Sequence, residues 1–399
     1  MTRTDVPLDA AAAEAHLMRF LGVDGVTGEE KAIADAVIDE LVKVGVPKSA
    51  IRFDDANKRI PLPTQTGNLI VDLPGTKAGP HLLFATHLDT VPLCRGAKAK
   101  VEGRRVVSDG TTALGGDNRT GCGVLVTLAE TLIKHKLPHP PITLLFTVRE
   151  ESGLHGAREL DPKALGGAVM CINVDGQSPN DLIIGAVGQE NWEVEIHGKA
   201  SHAGLAPEKG ISATLVGALG LAHARKDGWF GKVTKGNDKG TSNIGIFGGK
   251  DGKAAGDATN VVTDYAYLRG EARSPEAAFA TKIAEGFKAA FDAAQKEVTD
   301  VAGEPAKVKF THKPAYPPFN LDHGSPPVKR TVKALEAMGI KPNLIFSPGG
   351  LDANWLDKHG IPTVTIGAGQ REVHTVKEYV ELDEYDTGCR IAILAATME

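Results

Sequence analysis

Apolar positions along this chain fall into two rhythms, and the switch between them divides it into segments. Over residues 10–22 and 28–45 they recur at helical spacing. Thr27-Gly28-Glu29-Glu30 opens the second helix with an N-capping hydroxyl and acids in the first turn. Asn68-Leu-Ile-Val-Asp-Leu73 reads as a short strand and His81-Leu-Leu-Phe-Ala-Thr86 as a buried one. A helix is predicted from Cys122 to His135, stopped by Pro138, Pro140 and Pro141. Buried strands follow at Leu144-Leu-Phe-Thr-Val148 and Met170-Cys-Ile-Asn-Val174. This β–α–β alternation predicts a mostly parallel sheet.

Past residue 187 the rhythm changes. Glu190-Asn-Trp-Glu-Val-Glu-Ile-His197 alternates with period two, as a sheet with one wet face does. A helix from about 208 to 226, strands near 241–248 and 259–272, a helix near 274–298 and a strand near 306–313 complete a β-α-β-β-α-β order, which is ferredoxin-like. Gly228-Trp-Phe-Gly231 and Lys235-Gly-Asn-Asp-Lys-Gly240 read as a mobile loop, and Pro314, Pro317 and Pro318 as a return hinge. The pattern then resumes with a helix from about 326 to 338, Ser347-Pro-Gly-Gly350, a short helix through Trp355 and the strand Ile361-Pro-Thr-Val-Thr-Ile366. The expected architecture is α/β. A mixed, mostly parallel sheet flanked by helices is built from residues 1–186 and 319–399, with a ferredoxin-like α+β lid of residues 187–318 inserted.

Charged groups stand where the buried strands end. His87 closes one strand in Ala85-Thr-His-Leu-Asp-Thr-Val-Pro92, Glu150 and Glu151 follow a second, and Asp175 follows a third. Strand ends of an α/β sheet are where such folds place their sites. Asp117 lies in the glycine-rich run Gly115-Gly-Asp-Asn-Arg-Thr-Gly121, and His374 on a loop after the last strand. Singly, each has an ordinary reading: a hydrogen-bonded histidine, a solvated acidic turn, an Asp-Gly turn. Their coincidence does not, because charges at the mouths of buried strands are costly unless paired or metal-bound. Two imidazoles with several carboxylates form a ligand set for a pair of divalent metals, with carboxylates left for proton transfer. Asp89, two residues beyond His87, suits accepting the ring N–H and fixing its tautomer.

Composition narrows the partners. At 399 residues, with 42% hydrophobic and 24% charged residues, the chain is of ordinary globular make-up and long enough for two domains. A net charge of −5 gives no electrostatic ground for nucleic acid or anionic membrane as a partner. Four scattered cysteines, Cys94, Cys122, Cys171 and Cys389, form no Cys-x-x-Cys pair and suit a reducing compartment. With no secretory signal in Met1-Thr-Arg-Thr-Asp-Val-Pro7 and no apolar run of membrane-spanning length, a cytoplasmic location is expected.

These segments, in this order, resemble the co-catalytic zinc amidohydrolase family of peptidase T, aminoacylase, succinyl-diaminopimelate desuccinylase and glutamate carboxypeptidase. Gly115-Gly-Asp-Asn-Arg-Thr-Gly-Cys-Gly123 and Arg149-Glu-Glu-Ser-Gly-Leu-His-Gly-Ala157 are most similar to the peptidase T branch. The Asp-Met-Lys-Gly run usual in the deacylase branch is absent. The resemblance implies two zinc ions, replaceable by cobalt or manganese. His87 and Asp175 would bind one, Glu151 and His374 the other, with Asp117 bridging, Glu150 as general base and Asp89 orienting His87. It further implies a cis peptide bond at Asp117–Asn118, an oxyanion contact from His202 of the same or a facing subunit, a substrate-facing Asn260, and backbone donors at Gly349-Gly350. Leu351 stands where relatives often carry Ser or Thr. Arg273 has the fork geometry for a substrate carboxylate, with Arg269 competing for the role. The implied activity is removal of the N-terminal residue from short peptides such as tripeptides, by a protein able to dimerise through its lid. The alternative is an N-acyl-amino-acid deacylase or carboxypeptidase with the same metal chemistry.

Overall fold

The computed structural model describes residues 6–398. Contacts divide the chain into two compact units, one formed by the chain up to Ala186 and again from Phe319, the other by Val187–Pro318.

The first unit is built on a nine-stranded mixed sheet. At its centre Ile142–Thr147, Leu82–His87, Met170–Gly176 and Thr363–Gly367 lie side by side in that order, all parallel. Leu69–Leu73 borders this group antiparallel on one side, and Asp181–Ala186 on the other. Asp181–Ala186 also pairs with Asn343–Ser347. The central strands are apolar throughout because both faces are covered. In Leu82–His87, Leu82 and Phe84 enter the core beneath the helices Ala10–Leu21, Gly116–Lys134 and Leu382–Thr397, while Leu83 and Ala85 join Leu145, Cys171 and Leu356 on the opposite face.

The second unit is a five-stranded antiparallel sheet in the order Gly231–Lys235, Asp238–Gly248, Tyr265–Ser274, Gly188–His197, Lys307–Tyr316. The helices Ala213–Lys226 and Ala277–Glu297 pack with the sheet around a shared core. In that core Trp192 stacks on Phe287 at 4.7 Å and on Phe310 at 5.5 Å. Four of the strands keep the ferredoxin-like order.

Several elements differ from the sequence reading. The segment read as a mobile loop is a hairpin, with Lys235 opposite Asp238 across Gly236-Asn237, and Gly236 at φ 63° provides the tight turn. Pro314 belongs to the strand Lys307–Tyr316 rather than to a hinge. It is tolerated there because that strand is an edge with one neighbour. The strand expected from 259 begins at Tyr265, and the helix expected from 208 begins at Ala213 after a 3₁₀ turn at Pro207–Lys209. Unforeseen elements include the strands Asp181–Ala186 and Asn343–Ser347, the helix Leu382–Thr397 and a small sheet of Gln370–Arg371, Tyr379–Glu381, Arg105–Val107 and Lys100–Glu102. Among the described residues no helix is long and apolar enough to cross a membrane.

Candidate metal centre

Because the four central strands run in parallel, their carboxyl ends fall on one edge of the sheet. His87 is the last residue of its strand and lies opposite Thr147. Two residues beyond Thr147 the chain turns sharply through Arg149, at φ 54°, and presents Glu150 and Glu151. Asp175 precedes the last residue of the next strand. Asp117 arrives from the amino end of the helix Gly116–Lys134, where the Asp117–Asn118 peptide bond is cis. His374, at φ 64°, comes from the loop after Gln370–Arg371.

Asp117 stands between two pairs. Its Oδ1 lies 3.1 Å from His87 Nε2, which is itself 3.4 Å from Asp175 Oδ1. Its Oδ2 lies 3.3 Å from His374 Nε2, which is 2.8 Å from Glu151 Oε1. His87, Asp117 and Glu151 each offer a ligand atom, all within 4.8 Å of one another. The His87 side is closed, with the imidazole 2% exposed, whereas the His374 imidazole is 47% exposed.

Electrostatics follow from this packing. Burial pushes the Glu150 carboxyl well above its ordinary range, and repulsion from Asp175, Glu151 and Asp352 adds to it. Burial likewise raises Glu151 to about 7 and Asp175 to about 6, with Asp117 repelling both. Burial acts on Asp117 in the same sense, but its hydrogen bonds to His374 and His87 hold it well below the usual range. Those to Asp117 and Glu151 raise His374 to about 10. Burial would lower His87, yet Asp175, Asp117 and Asp89 keep it well above its ordinary value. Largely covered carboxylates crowded around two imidazoles stabilise positive charge at their centre. Oxygen and imidazole donors suit Zn²⁺, and also Co²⁺ or Mn²⁺.

Asp89 touches His87 in two ways. Its backbone carbonyl lies 3.0 Å from His87 Nδ1 and its carboxylate Oδ1 3.4 Å, so the carbonyl is the nearer acceptor. The carboxylate chiefly accepts the N–H groups of Glu150 and Glu151, at 3.0 and 3.2 Å, and fixes the turn that presents both acids.

Three supporting residues escape the sequence reading. Buried Glu378 accepts the backbone N–H groups of Leu114, Gly115 and Asp117 at 2.9, 2.8 and 3.0 Å. Asn118 donates to Asp175 Oδ1 at 3.1 Å and to the Val174 carbonyl, while its own carbonyl accepts from Gly121 N–H. Buried Asp352 accepts from Thr147 Oγ1, and its other oxygen has no hydrogen-bond partner among the described residues. Spacing hints at Glu378 alone, four residues beyond His374.

A cleft of about 470 Å³ opens over the centre. Asp117, Glu150, Glu151, Asp175 and His374 line it, and Ile183, Ile345, Phe346, Gly350, Leu351 and Val373 extend it. The remaining predicted residues belong to the inserted unit. His202 is exposed and its Nδ1 accepts the N–H groups of Gly204 and Leu205, at 3.1 and 3.2 Å, as a turn cap. Asn260, also exposed, is tied to the neighbouring segment by the Ala203 N–H at 2.9 Å. The fork of Arg273 is filled by Glu271, through bonds of 2.9 and 3.0 Å.

Known proteins carry the same architecture. Among solved structures, aminopeptidase PepT of Bacillus cereus has a TM-score of 0.83 at 31% identity, with 98% of each chain covered. A tripeptidase of Staphylococcus aureus has a TM-score of 0.86 at 26% identity, again over 98% of each chain. By sequence, the uncharacterised protein YqjE of Bacillus subtilis is 35% identical over 319 residues, 80% of this chain and 81% of that one. Peptidase T of Bacillus velezensis is 24% identical over 298 residues, 73% of this chain and 67% of that one. Residues 83–398, a stretch that takes in all the side chains converging on the cleft, match peptidase family M20/M25/M40, and the chain belongs to that family of hydrolases.

Proposed function

We propose that this chain is a two-metal aminopeptidase that releases the N-terminal residue of short peptides, tripeptides foremost. One observation carries the reading: the two oxygens of Asp117 face two separate histidine–carboxylate pairs, an arrangement suited to bridging two ions. In this reading His87, Asp175 and Asp117 would hold one Zn²⁺, and Glu151, His374 and Asp117 the other. Two such ions, when bound, lower the pKa of a shared water towards neutrality and polarise a carbonyl.

The protein's own groups do the rest. Glu150 is free of the histidine pairs and is buried beside them, so an ionised Glu150 is poorly solvated and ready to take a proton. It accepts the proton of the attacking water and delivers it to the leaving amine. Asp89, through the Glu150 and Glu151 N–H groups, keeps the base and its neighbour in register. The solved aminopeptidase and tripeptidase that this chain resembles support the peptide side of the family's chemistry over the deacylase side.

The test is Glu150→Gln, which keeps shape and hydrogen bonding but cannot take a proton. Tripeptide hydrolysis should fall by at least ~10²-fold, with metal content measured by elemental analysis unchanged. Loss of metal along with activity would make Glu150 a ligand and exchange its role with that of Glu151. In a panel of di-, tri- and tetrapeptides, free tripeptides should be cleaved fastest and N-acetylated ones refused. Preference for the acetylated forms would turn the reading to a deacylase.

A further inference from the structure

An enzyme that requires a free N-terminus must recognise an ammonium group, and the cleft contains a carboxylate that the reading above leaves unused. We propose that Asp181 binds the substrate's N-terminal ammonium and sets the specificity of this site. The inference rests on the aminopeptidase reading and adds to it the residue that reads the amine.

The acidic side chains lining the cleft are Asp117, Glu150, Glu151, Asp175 and Asp181. The first four are engaged with the two histidines or reserved for proton transfer. Asp181 belongs to neither group. Its side chain accepts from Asn343 Nδ2 at 2.8 Å, and no cationic side chain lies within ion-pair distance of it among the described residues. A carboxylate so placed, half-buried and paired only with a neutral amide, has no cationic partner to compete with a ligand.

The sheet puts it at the right place. Gly176, next to Asp175, pairs with Gly367, and Leu182 pairs antiparallel with Ile366, so the register carries Asp181 to Gly367. Gly176, Gly367 and Asp181 thus form a row across the carboxyl edge of the sheet. Two strand spacings separate its ends, roughly 10 Å between Cα atoms. The nitrogen of an N-terminal residue lies only about 2.5 Å from its own carbonyl carbon. A peptide whose first carbonyl is over the metal centre therefore needs an anion elsewhere in the same cleft, and Asp181 is the lining carboxylate left for it. Ile183, on the same face two residues on, and its partner Ile345 form an apolar wall beside it. The substrate class that follows is a short peptide with a free α-amine and an apolar first side chain.

Asp181→Asn tests this, because the amide can still accept from Asn343 and so keep the fold. With a free tripeptide of apolar first residue, kcat/KM should fall roughly tenfold to a hundredfold, as expected for losing a charge-assisted contact. Metal content should be unchanged. A des-amino peptide, with hydrogen in place of the α-amine, should show the same loss on the unaltered enzyme and no further loss on the variant. If the unaltered enzyme needs the amine but Asp181→Asn cleaves as well as it does, the amine is read elsewhere and the proposal falls alone. If the unaltered enzyme cleaves des-amino or N-acetylated peptides equally well, the aminopeptidase reading falls with it. A loss confined to peptides beginning with Lys or Arg would overturn the proposal by assigning Asp181 to a side-chain pocket.

Discussion

The two units hold their charged residues in opposite ways. At the edge of the large sheet, buried His87 and the largely covered Asp117, Glu151 and Asp175 are crowded together, fixed by hydrogen bonds that Asn118 donates and that Asp89 and Glu378 accept. In the inserted unit, His202 caps its own turn, Arg273 is clasped by Glu271, and Arg269 stands 3.6 Å from Glu193. Buried like charges held together by their surroundings cost folding energy that only a ligand or chemistry repays. Exposed, mutually satisfied charges are what any solvated sheet face carries. The first arrangement points to function by itself, and the second does not.

Asp117→Asn should break the first arrangement most completely. On the proposed two-metal reading the amide cannot serve both pairs as an anion, so both ions should be lost or weakened, whereas His374→Ala should spare the one assigned to His87 and Asp175. Stabilisation by a metal pair is worth several kcal/mol, and the expected fall in activity is at least ~10³-fold. Elemental analysis of the purified variants decides the matter. Full two-metal occupancy in Asp117→Asn would remove Asp117 from the bridging role.

The contrast also explains what could be seen in the sequence. Strands such as Leu82–His87 and Met170–Gly176 are legible because burial on both faces demands an unbroken apolar run, and a charge at the end of such a run is conspicuous. Their spatial order is not legible. Ile142–Thr147 lies on one side of Leu82–His87 and Met170–Gly176 on the other, a matter of tertiary packing that no local period encodes. The helix Leu382–Thr397 escapes because its first part carries Asp383, Glu384, Asp386 and Arg390 while Ile391 to Ala396 are buried all round, so no single apolar stripe runs its length. Glu378 and Asp352 escape for the converse reason: each is a single acid in a polar loop or helix start, and its importance lies in which N–H or hydroxyl reaches it.

Glu378→Gln sharpens the comparison at an intermediate scale. A carboxylate accepts three N–H groups around Asp117, and a glutamine must present an NH₂ to at least one of them. Supporting residues of this kind typically cost tenfold to a hundredfold in metal affinity or activity. We expect metal affinity, measured by competition with a chelator, to fall by roughly that amount, with helix content by circular dichroism unchanged. Undiminished metal retention would make Glu378 a loop anchor without influence on the centre.

The smallest effect is expected where sequence alone suggested a large one. Arg273 has the fork for a substrate carboxylate, but Glu271 fills it from the same strand, two residues away on the same face. Both side chains are about 30% exposed, and pairs of this kind are worth no more than about 1 kcal/mol. If the pair is only structural, Arg273→Ala should change kcat/KM for a tripeptide by less than about fivefold, and amidating the peptide's C-terminus should make no difference between the variant and the unaltered enzyme. Glu271→Gln provides the converse test, since it empties the fork without removing the guanidinium. A fall in KM for free-carboxyl peptides in Glu271→Gln, abolished by amidation, would mean that Glu271 holds the guanidinium in place of a substrate carboxylate. Together with a tenfold or greater loss in Arg273→Ala, that result would bring the inserted unit into the chemistry and end the contrast between the two regions.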